Sequence, residues 1–114
     1  MKYFFLSVIS CLGLTGCKYD HKTSVCDSVF PFVTYENTVQ FIIKNKCSLS
    51  GCHQSAANIG DFTSYVELIP SIENTAFQTF VIDLQIMPPE GNVALTDDEI
   101  TKLSCWLENG YPEK

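Results

Sequence analysis

One short stretch constrains this chain more than any other: four residues separate Cys47 from Cys52, and His53 follows directly. The spacer is Ser48-Leu49-Ser50-Gly51, whose small residues and glycine tolerate a tight turn between two anchored sulfurs. Apolar residues recur at helical spacing before it and predict a helix from about Tyr35 to Lys46. We therefore expect a helix to deliver two thiols and an imidazole into one loop.

This spacing is a longer variant of a haem attachment site. In the usual form, two residues separate the cysteines, both thiols add to the vinyl groups of a haem, and the histidine binds the iron. We therefore predict one covalent haem c held by Cys47 and Cys52, with His53 as an iron ligand. One alternative is a disulfide between Cys47 and Cys52. The other is a zinc site, for which the candidate fourth ligands are Cys26, Cys105, His21 and the carboxylates.

Length and charge limit the other possibilities. A chain of 114 residues is one domain at most, and its 13 acidic residues against 7 lysines give a net charge of −6. Nucleic acid is excluded as a partner, because binding to phosphates needs clustered cations. Six cysteines in so short a chain are typical of an exported protein.

The N-terminus predicts export and lipidation. Residues 1–16 have the features of a lipoprotein signal peptide, with an apolar run too short to span a membrane. Leu14-Thr15-Gly16-Cys17 resembles the lipobox of bacterial lipoproteins, which implies cleavage before Cys17 and a lipid on its sulfur. An ordinary cleaved signal followed by a free Cys17 is the alternative. Residues 17–28 are predicted to be a tether and residues 29–114 a haem domain on a bacterial membrane, facing the periplasm or the cell exterior.

Three further helices are predicted after the cysteine loop. A short helix around Tyr65 to Leu68 is expected to stop at Pro70, and a second covers Glu73 to Leu84. The last helix begins at the capping box Thr96-Asp97-Asp98-Glu99 and ends at Asn109-Gly110.

These features together resemble a class I c-type cytochrome domain, over roughly Thr34 to Pro112. The turn Met87-Pro88-Pro89 and the ending Trp106-Leu107-Glu108-Asn109-Gly110 are similar to those of small haem domains in bacterial lipoproteins and membrane-associated oxidases. The resemblance implies an all-α, cytochrome c-like fold, with three to four helices around one covalent haem. It also implies that His53 and Met87 are the two iron ligands, and that the N- and C-terminal helices cross near one haem edge. The four-residue cysteine spacing departs from the family pattern.

The resemblance implies an electron carrier and not an enzyme, because two filled axial positions leave no place for a substrate. The expected partners are redox proteins and, through the lipid anchor, a membrane; no small-molecule substrate is expected. One alternative is a haem-based sensor or ligand-binding lipoprotein, in which Met87 is displaceable. Another is a non-haem lipoprotein with structural disulfides or zinc. Lys44 and Lys46 lie beside the loop, where solvated helix charges are a simpler interpretation than contacts with an acidic partner.

A disulfide between Cys26 and Cys105 is also predicted. Cys11 is removed with the signal peptide, Cys17 carries the lipid, and the haem binds two more cysteines, so these two thiols remain. Export favours their oxidation. In the cytochrome arrangement the first and last helices cross, so the two residues can approach. The alternative is a buried Cys105 that packs as a small hydrophobe and a free Cys26 in the tether.

Overall fold

Every regular element of this chain is helical in the residues that its computed structural model describes, which are 25–29, 32–55 and 58–114. Four of the elements are α-helices and two are π-helical segments. In chain order they are α1 (Val25–Val29), π1 (Tyr35–Val39), α2 (Gln40–Lys46), α3 (Tyr65–Glu73), π2 (Gln78–Asp83) and α4 (Asp97–Glu108). The predicted all-α class is confirmed for this part of the chain.

The predicted signal peptide, the lipidation site Cys17 and most of the tether lie outside the described residues. Within the described ranges, no helix combines the length and apolar content needed to cross a membrane.

The first long helix begins and ends where the sequence predicts. The Thr34 hydroxyl accepts a hydrogen bond from the Asn37 backbone N–H at 3.3 Å, and the Asn37 side chain accepts one from the Thr34 N–H at 2.9 Å. This reciprocal cap satisfies donors that a helix start would otherwise leave unpaired. π1 then continues directly into α2, which ends at Lys46, so Cys47 follows the last turn.

The prediction that Pro70 ends a short helix is wrong, because α3 runs through it to Glu73. Proline removes one backbone hydrogen bond from a helix interior, at a cost of about 3 kcal/mol. Burial offsets that cost, since Leu68 and Ile72 on either side of Pro70 are both in the core. The Pro70 carbonyl also accepts a hydrogen bond from the Asn74 N–H at 3.1 Å, which closes the last turn.

α4 is the central core helix and packs against π1 and π2. Its predicted capping box is present: the Thr96 hydroxyl accepts from the Glu99 N–H at 3.2 Å, and the Glu99 carboxylate accepts from the Thr96 N–H at 2.8 Å. Leu103 and Trp106 are fully buried at the centre of the core.

The segment after α4 ties the C-terminal helix to the start of π1. The Pro112 carbonyl accepts hydrogen bonds from the Trp106 indole N–H and from the Tyr35 backbone N–H, both at 2.9 Å. The Tyr35 and Trp106 rings lie 6.4 Å apart, centre to centre. The first and last long helices are therefore packed together.

The predicted disulfide between Cys26 and Cys105 is confirmed, with an S–S distance of 1.98 Å. Cys26 lies in α1, so residues 25–28, assigned to the tether from the sequence, form the start of a helix bonded to the core. Both cysteines are buried, Cys105 beside Trp106 in α4.

Candidate functional site

A single cavity of about 330 Å³ is lined by all four predicted haem-binding residues, Cys47, Cys52, His53 and Met87. They come from two segments of the chain, the loop after α2 and the connection between π2 and α4. Most of the other lining side chains are apolar, among them Ile59, Phe62, Phe77, Phe80 and Val81. A largely apolar cavity with a few convergent polar groups is the usual form of a cofactor site.

The loop between the two cysteines folds back on itself. The Cys52 N–H donates to the Leu49 carbonyl at 2.9 Å, which closes a turn, and the His53 N–H donates to the Cys47 carbonyl at 3.1 Å. Gly51 has φ +78°, a conformation required at the third position of a type II turn and readily adopted only by glycine. The four-residue spacer thus forms a turn that places His53 next to Cys47.

Ser48 connects this loop to the segment that carries Phe62. Its backbone N–H donates to the Ile43 carbonyl at 2.9 Å, and its hydroxyl donates to the Phe62 carbonyl at 2.8 Å. The Phe62 N–H in turn donates to the His53 carbonyl at 3.0 Å. These bonds hold the cysteine loop against one wall of the cavity.

The imidazole of His53 is fixed by two contacts. Its Nδ1 lies 3.1 Å from the Gly60 carbonyl oxygen, and its ring stacks on Phe62 with centroids 4.0 Å apart and planes 4° from parallel. A carbonyl can only accept a hydrogen bond, so Nδ1 carries the proton and Nε2 of the neutral ring keeps its lone pair. This is how protein imidazoles that bind metals are commonly oriented.

Glycine is required at position 60 because its φ of +103° is strained for any residue with a side chain. An added Cβ would lie 3.4 Å from Phe62 Cε1 and 3.7 Å from His53 Nδ1, which are ordinary contact distances. Neither Gly60 nor Phe62 is among the site residues that the sequence predicts. The glycine was the one available signal, because it marks a close approach of the backbone to another group.

Met87 is positioned by the end of π2. The backbone N–H groups of Ile86 and Met87 both donate to the Phe80 carbonyl, at 3.0 and 3.1 Å. The peptide bond between Met87 and Pro88 is cis. Met87 is 37% exposed, so it is not a core residue, and its side chain borders the cavity that His53 also lines.

Cys47 and Cys52 are free thiols, so they do not form the alternative disulfide. Burial is the main reason that the pKa of Cys47 rises to about 12, and the neighbouring Cys52 and Glu99 add to it. In the described residues, no group of three or more His, Cys, Asp or Glu side chains is placed to hold a metal ion. The zinc alternative needs a fourth ligand, and this part of the chain does not supply one.

The Lys46 side chain is held against the protein by two polar contacts and does not project into solvent. Its ammonium donates to the Ala94 carbonyl at 2.9 Å and lies 3.6 Å from the Glu99 carboxylate. The two side chains are 14% and 21% exposed, which reduces solvent screening of the pair. Lys46 therefore connects the end of α2 to the start of α4, whereas Lys44 is exposed.

No family model matches this chain, and no curated protein or solved structure matches it either. The site is therefore interpreted from the chemistry of its residues and from their positions in the fold.

Proposed function

We propose that this chain is a membrane-anchored monohaem c-type cytochrome that carries single electrons between redox partners. One observation carries the proposal: two segments about 34 residues apart, containing Cys47, Cys52, His53 and Met87, border a single apolar cavity. A core of unrelated function has no reason to bring two thiols, an oriented imidazole and a thioether to the same cavity.

The donor set fits a covalent haem. Cys47 and Cys52 supply the two thioether bonds, His53 supplies a nitrogen through Nε2, and Met87 supplies a thioether sulfur. The hydrogen bond from His53 to Gly60 supports this assignment, because it sets the tautomer that an iron ligand needs. The apolar wall fits the large hydrophobic ring of the cofactor.

A haem bound here supplies one-electron iron chemistry, and the protein sets its conditions. The Gly60 and Phe62 contacts hold the His53 ring in one orientation, so that little reorganisation accompanies a change of charge. The apolar side chains around the cavity would limit contact between a bound haem and water, which disfavours the more highly charged oxidised state. A soft thioether ligand such as Met87 acts in the same direction and raises the potential relative to two histidines.

The proposed location is the cell envelope, with a lipid on Cys17 as the anchor. The disulfide between Cys26 and Cys105 supports export, because disulfides form and persist in oxidising compartments.

An absorption spectrum of protein produced with cytochrome c maturation factors tests the proposal. We expect a sharp reduced α-band, a far-red sulfur-to-iron band in the oxidised form, and no binding of carbon monoxide. Met87→Ala should remove the far-red band, lower the potential and admit carbon monoxide. The neighbouring Ile86→Ala is the matched control, since Ile86 does not line the cavity, and it should leave the spectrum unchanged.

Each result has a contrary outcome. A parent protein that binds carbon monoxide in the reduced form would support the sensor alternative. A Met87→Ala spectrum identical to that of the parent would show that another residue is the sixth ligand. Purified protein without any haem bands would contradict the proposal.

A further inference from the structure

Three large apolar side chains in the segments that carry Met87 and Asn92 are exposed and lie outside the cavity lining. Leu84, Ile86 and Val93 are 56%, 52% and 59% exposed, and none of them lines the cavity. Ile86 and Val93 are each next in sequence to a lining residue, Met87 and Asn92 respectively. A cofactor that filled only the cavity would therefore leave these three side chains exposed. We call Leu84, Ile86 and Val93 the rim.

Most of the rim belongs to a fixed segment. The Leu84 N–H donates to the Thr79 carbonyl at 2.9 Å, and the Ile86 N–H donates to the Phe80 carbonyl at 3.0 Å. Both acceptors belong to π2, so the chain from Leu84 to Met87 is bonded to a helical element. A preorganised surface loses little conformational entropy on binding.

The exposed charges next in sequence to the rim and to the cavity lining are acidic, while Lys46, which lines the cavity, is paired with Glu99. Residues 48–101 include eight Asp and Glu residues and no Lys or Arg. Asp83 and Glu90 are both exposed, Asp83 next to Leu84 and Glu90 next to the lining residue Pro89. The nearest preceding cation, Lys46, contacts the Ala94 carbonyl and the Glu99 carboxylate. An incoming molecule therefore meets an apolar centre flanked by carboxylates.

We propose that the rim is the docking surface for a basic redox partner, a protein with an apolar patch surrounded by Lys and Arg. The inference rests on the proposed function, because docking there brings the partner to the cavity that holds the cofactor. Complementary charge speeds association and sets orientation, while the apolar contact supplies affinity. The proposed partner is thus basic, whereas a partner that bound Lys44 and Lys46 would be acidic.

Two other occupants fit the charge less well. A membrane carrying anionic lipids repels Asp83 and Glu90. A second copy of this chain, docked rim to rim, would place like charges opposite one another. Only a cationic partner gains from both the apolar centre and the acidic border.

Nuclear magnetic resonance can test this with a lysine-rich mitochondrial cytochrome c, in its reduced form, as the cationic probe. The ¹⁵N-labelled, haem-loaded, reduced chain is titrated with the probe at low ionic strength. We expect the largest amide shifts at the rim and at Asp83 and Glu90, and a Kd that weakens as salt is added. The same probe with its lysines succinylated is anionic, and it should not bind.

Variants that replace two carboxylates with amides show which surface binds the cationic probe. Asp83→Asn/Glu90→Gln should weaken binding about three- to sevenfold at low salt, the size expected for two charges at roughly 7 Å in water. Asp27→Asn/Glu36→Gln is the matched control, because both residues are exposed and line a separate groove near α1. It makes the same change in net charge and should alter Kd less than about twofold. Ile86→Ser/Val93→Ser should weaken binding even at high salt.

Equal effects of the two charge-neutral pairs would overturn the proposal, since net charge alone would then explain binding. Shifts centred away from the rim, or equal binding of the succinylated probe, would overturn it too. The mass of the purified chain shows separately whether haem is bound. A chain without haem would contradict the proposed function and would leave the docking proposal to be decided by the titration. In that case the titration of the haem-free chain still reports whether the rim binds the cationic probe.

Discussion

The hydrogen bond between His53 Nδ1 and the Gly60 carbonyl is the contact that most defines the site at the scale of single residues. It selects the imidazole tautomer, and the stacked Phe62 ring holds the plane of that imidazole. Neither contact involves a titratable partner. The orientation of the proposed ligand is therefore insensitive to charge changes elsewhere on the protein.

Gly60→Ala should damage the iron site as well as the stability of the fold. The positive φ of Gly60 makes any side chain cost about 1–3 kcal/mol of unfolding free energy, and a backbone shift that relieves this strain would move the carbonyl bonded to His53 Nδ1. We expect an altered far-red band and a shifted reduction potential, measured by absorption and potentiometric titration.

Gly110→Ala is the control for that variant. Gly110 also has a positive φ, +81°, but nothing lies within 4 Å of an added Cβ. It should lose similar stability by denaturant titration and keep the parent spectrum and potential. If both variants shift the potential equally, the Gly60 contact does not tune the site.

Because the Cys47 thiol is buried, we expect the unfolding free energy to depend on pH in the haem-free chain only. Folding raises the pKa of its thiol from about 9 to about 12, so the fold favours the protonated form. This contribution is complete below about pH 9 and is lost as the pH rises through about 12, with an upper limit of about 4 kcal/mol. Unfolding free energy, measured from pH 8 to 11 on the haem-free chain, should therefore fall more steeply for the parent than for Cys47→Ala. A thioether cannot ionise, so the loaded protein should lack this component; parallel slopes for parent and variant would contradict the argument.

At this scale the sequence predicted the chemistry but not its supports. Cys47, Cys52 and His53 form a local motif, and Met87 is marked by the two prolines that follow it. Gly60 supports His53 through a backbone carbonyl that the folded loop brings to the imidazole, and no spacing pattern in the sequence marks this contact. Such supports become visible only when the fold is known.

Among the helices, the ion pair between Lys46 and Glu99 has the clearest structural role. It joins the end of α2 to the capping box of α4, the two elements on either side of the cavity-forming segments. Lys46→Met removes this pair and the hydrogen bond to Ala94, and we expect it to lower the unfolding free energy by about 1–2 kcal/mol.

A double-mutant cycle with Glu99→Gln tests whether the pair itself is responsible. Glutamine keeps the capping box, so the cycle should isolate a coupling of about 0.5–1.5 kcal/mol. Lys102→Met with Asp98→Asn is the comparison, because that pair lies within α4, four residues apart, and is more exposed. Its coupling should stay below about 0.5 kcal/mol. Equal couplings in chemical denaturation would show that Lys46 is an ordinary surface charge.

Helix starts that carry a cap were predicted, whereas the start predicted at Glu73 is wrong, because Glu73 ends α3 and π2 begins at Gln78. Thr34 and Thr96 cap the helices expected of them, because the capping signal is carried by neighbouring residues. Pro70 was misjudged as a stop, since the burial of Leu68 and Ile72 is a tertiary effect that outweighs a local penalty. The π-helical winding of π1 and π2 has no signal in the sequence that we can identify.

At the scale of the whole molecule, the disulfide joins α1 to α4 across 79 residues. Closing a loop of that length restricts the unfolded chain and stabilises the fold by up to about 4.5 kcal/mol in the chain-entropy model. Cys26→Ala/Cys105→Ala should therefore lower the unfolding free energy by several kcal/mol while the haem spectrum persists. Denaturant titration with and without a reductant measures this. A reductant should destabilise the parent and leave the variant unchanged, and a parent indifferent to reduction would contradict the prediction.

The arrangement of the molecule follows from a few long-range links. Packing of π1 against α4, the Pro112 carbonyl shared by Tyr35 and Trp106, and the disulfide bring the two ends of the domain together. The segments between them then surround the cavity. Sequence patterns predicted the helices that begin after Thr34 and Thr96, and the count of unused thiols predicted the disulfide. They did not predict the Pro112 link, which depends on a turn after α4.

The central claim is that Cys47 and Cys52 hold one haem covalently, and intact mass under denaturing conditions tests it most directly. Protein produced with cytochrome c maturation factors should carry the mass of one haem after unfolding and acid–acetone extraction. Cys47→Ser and Cys52→Ser should each retain haem through a single bond, in lower yield, and the double variant should lose it. A parent chain with the mass of the polypeptide alone, or haem that leaves on unfolding, would contradict the account.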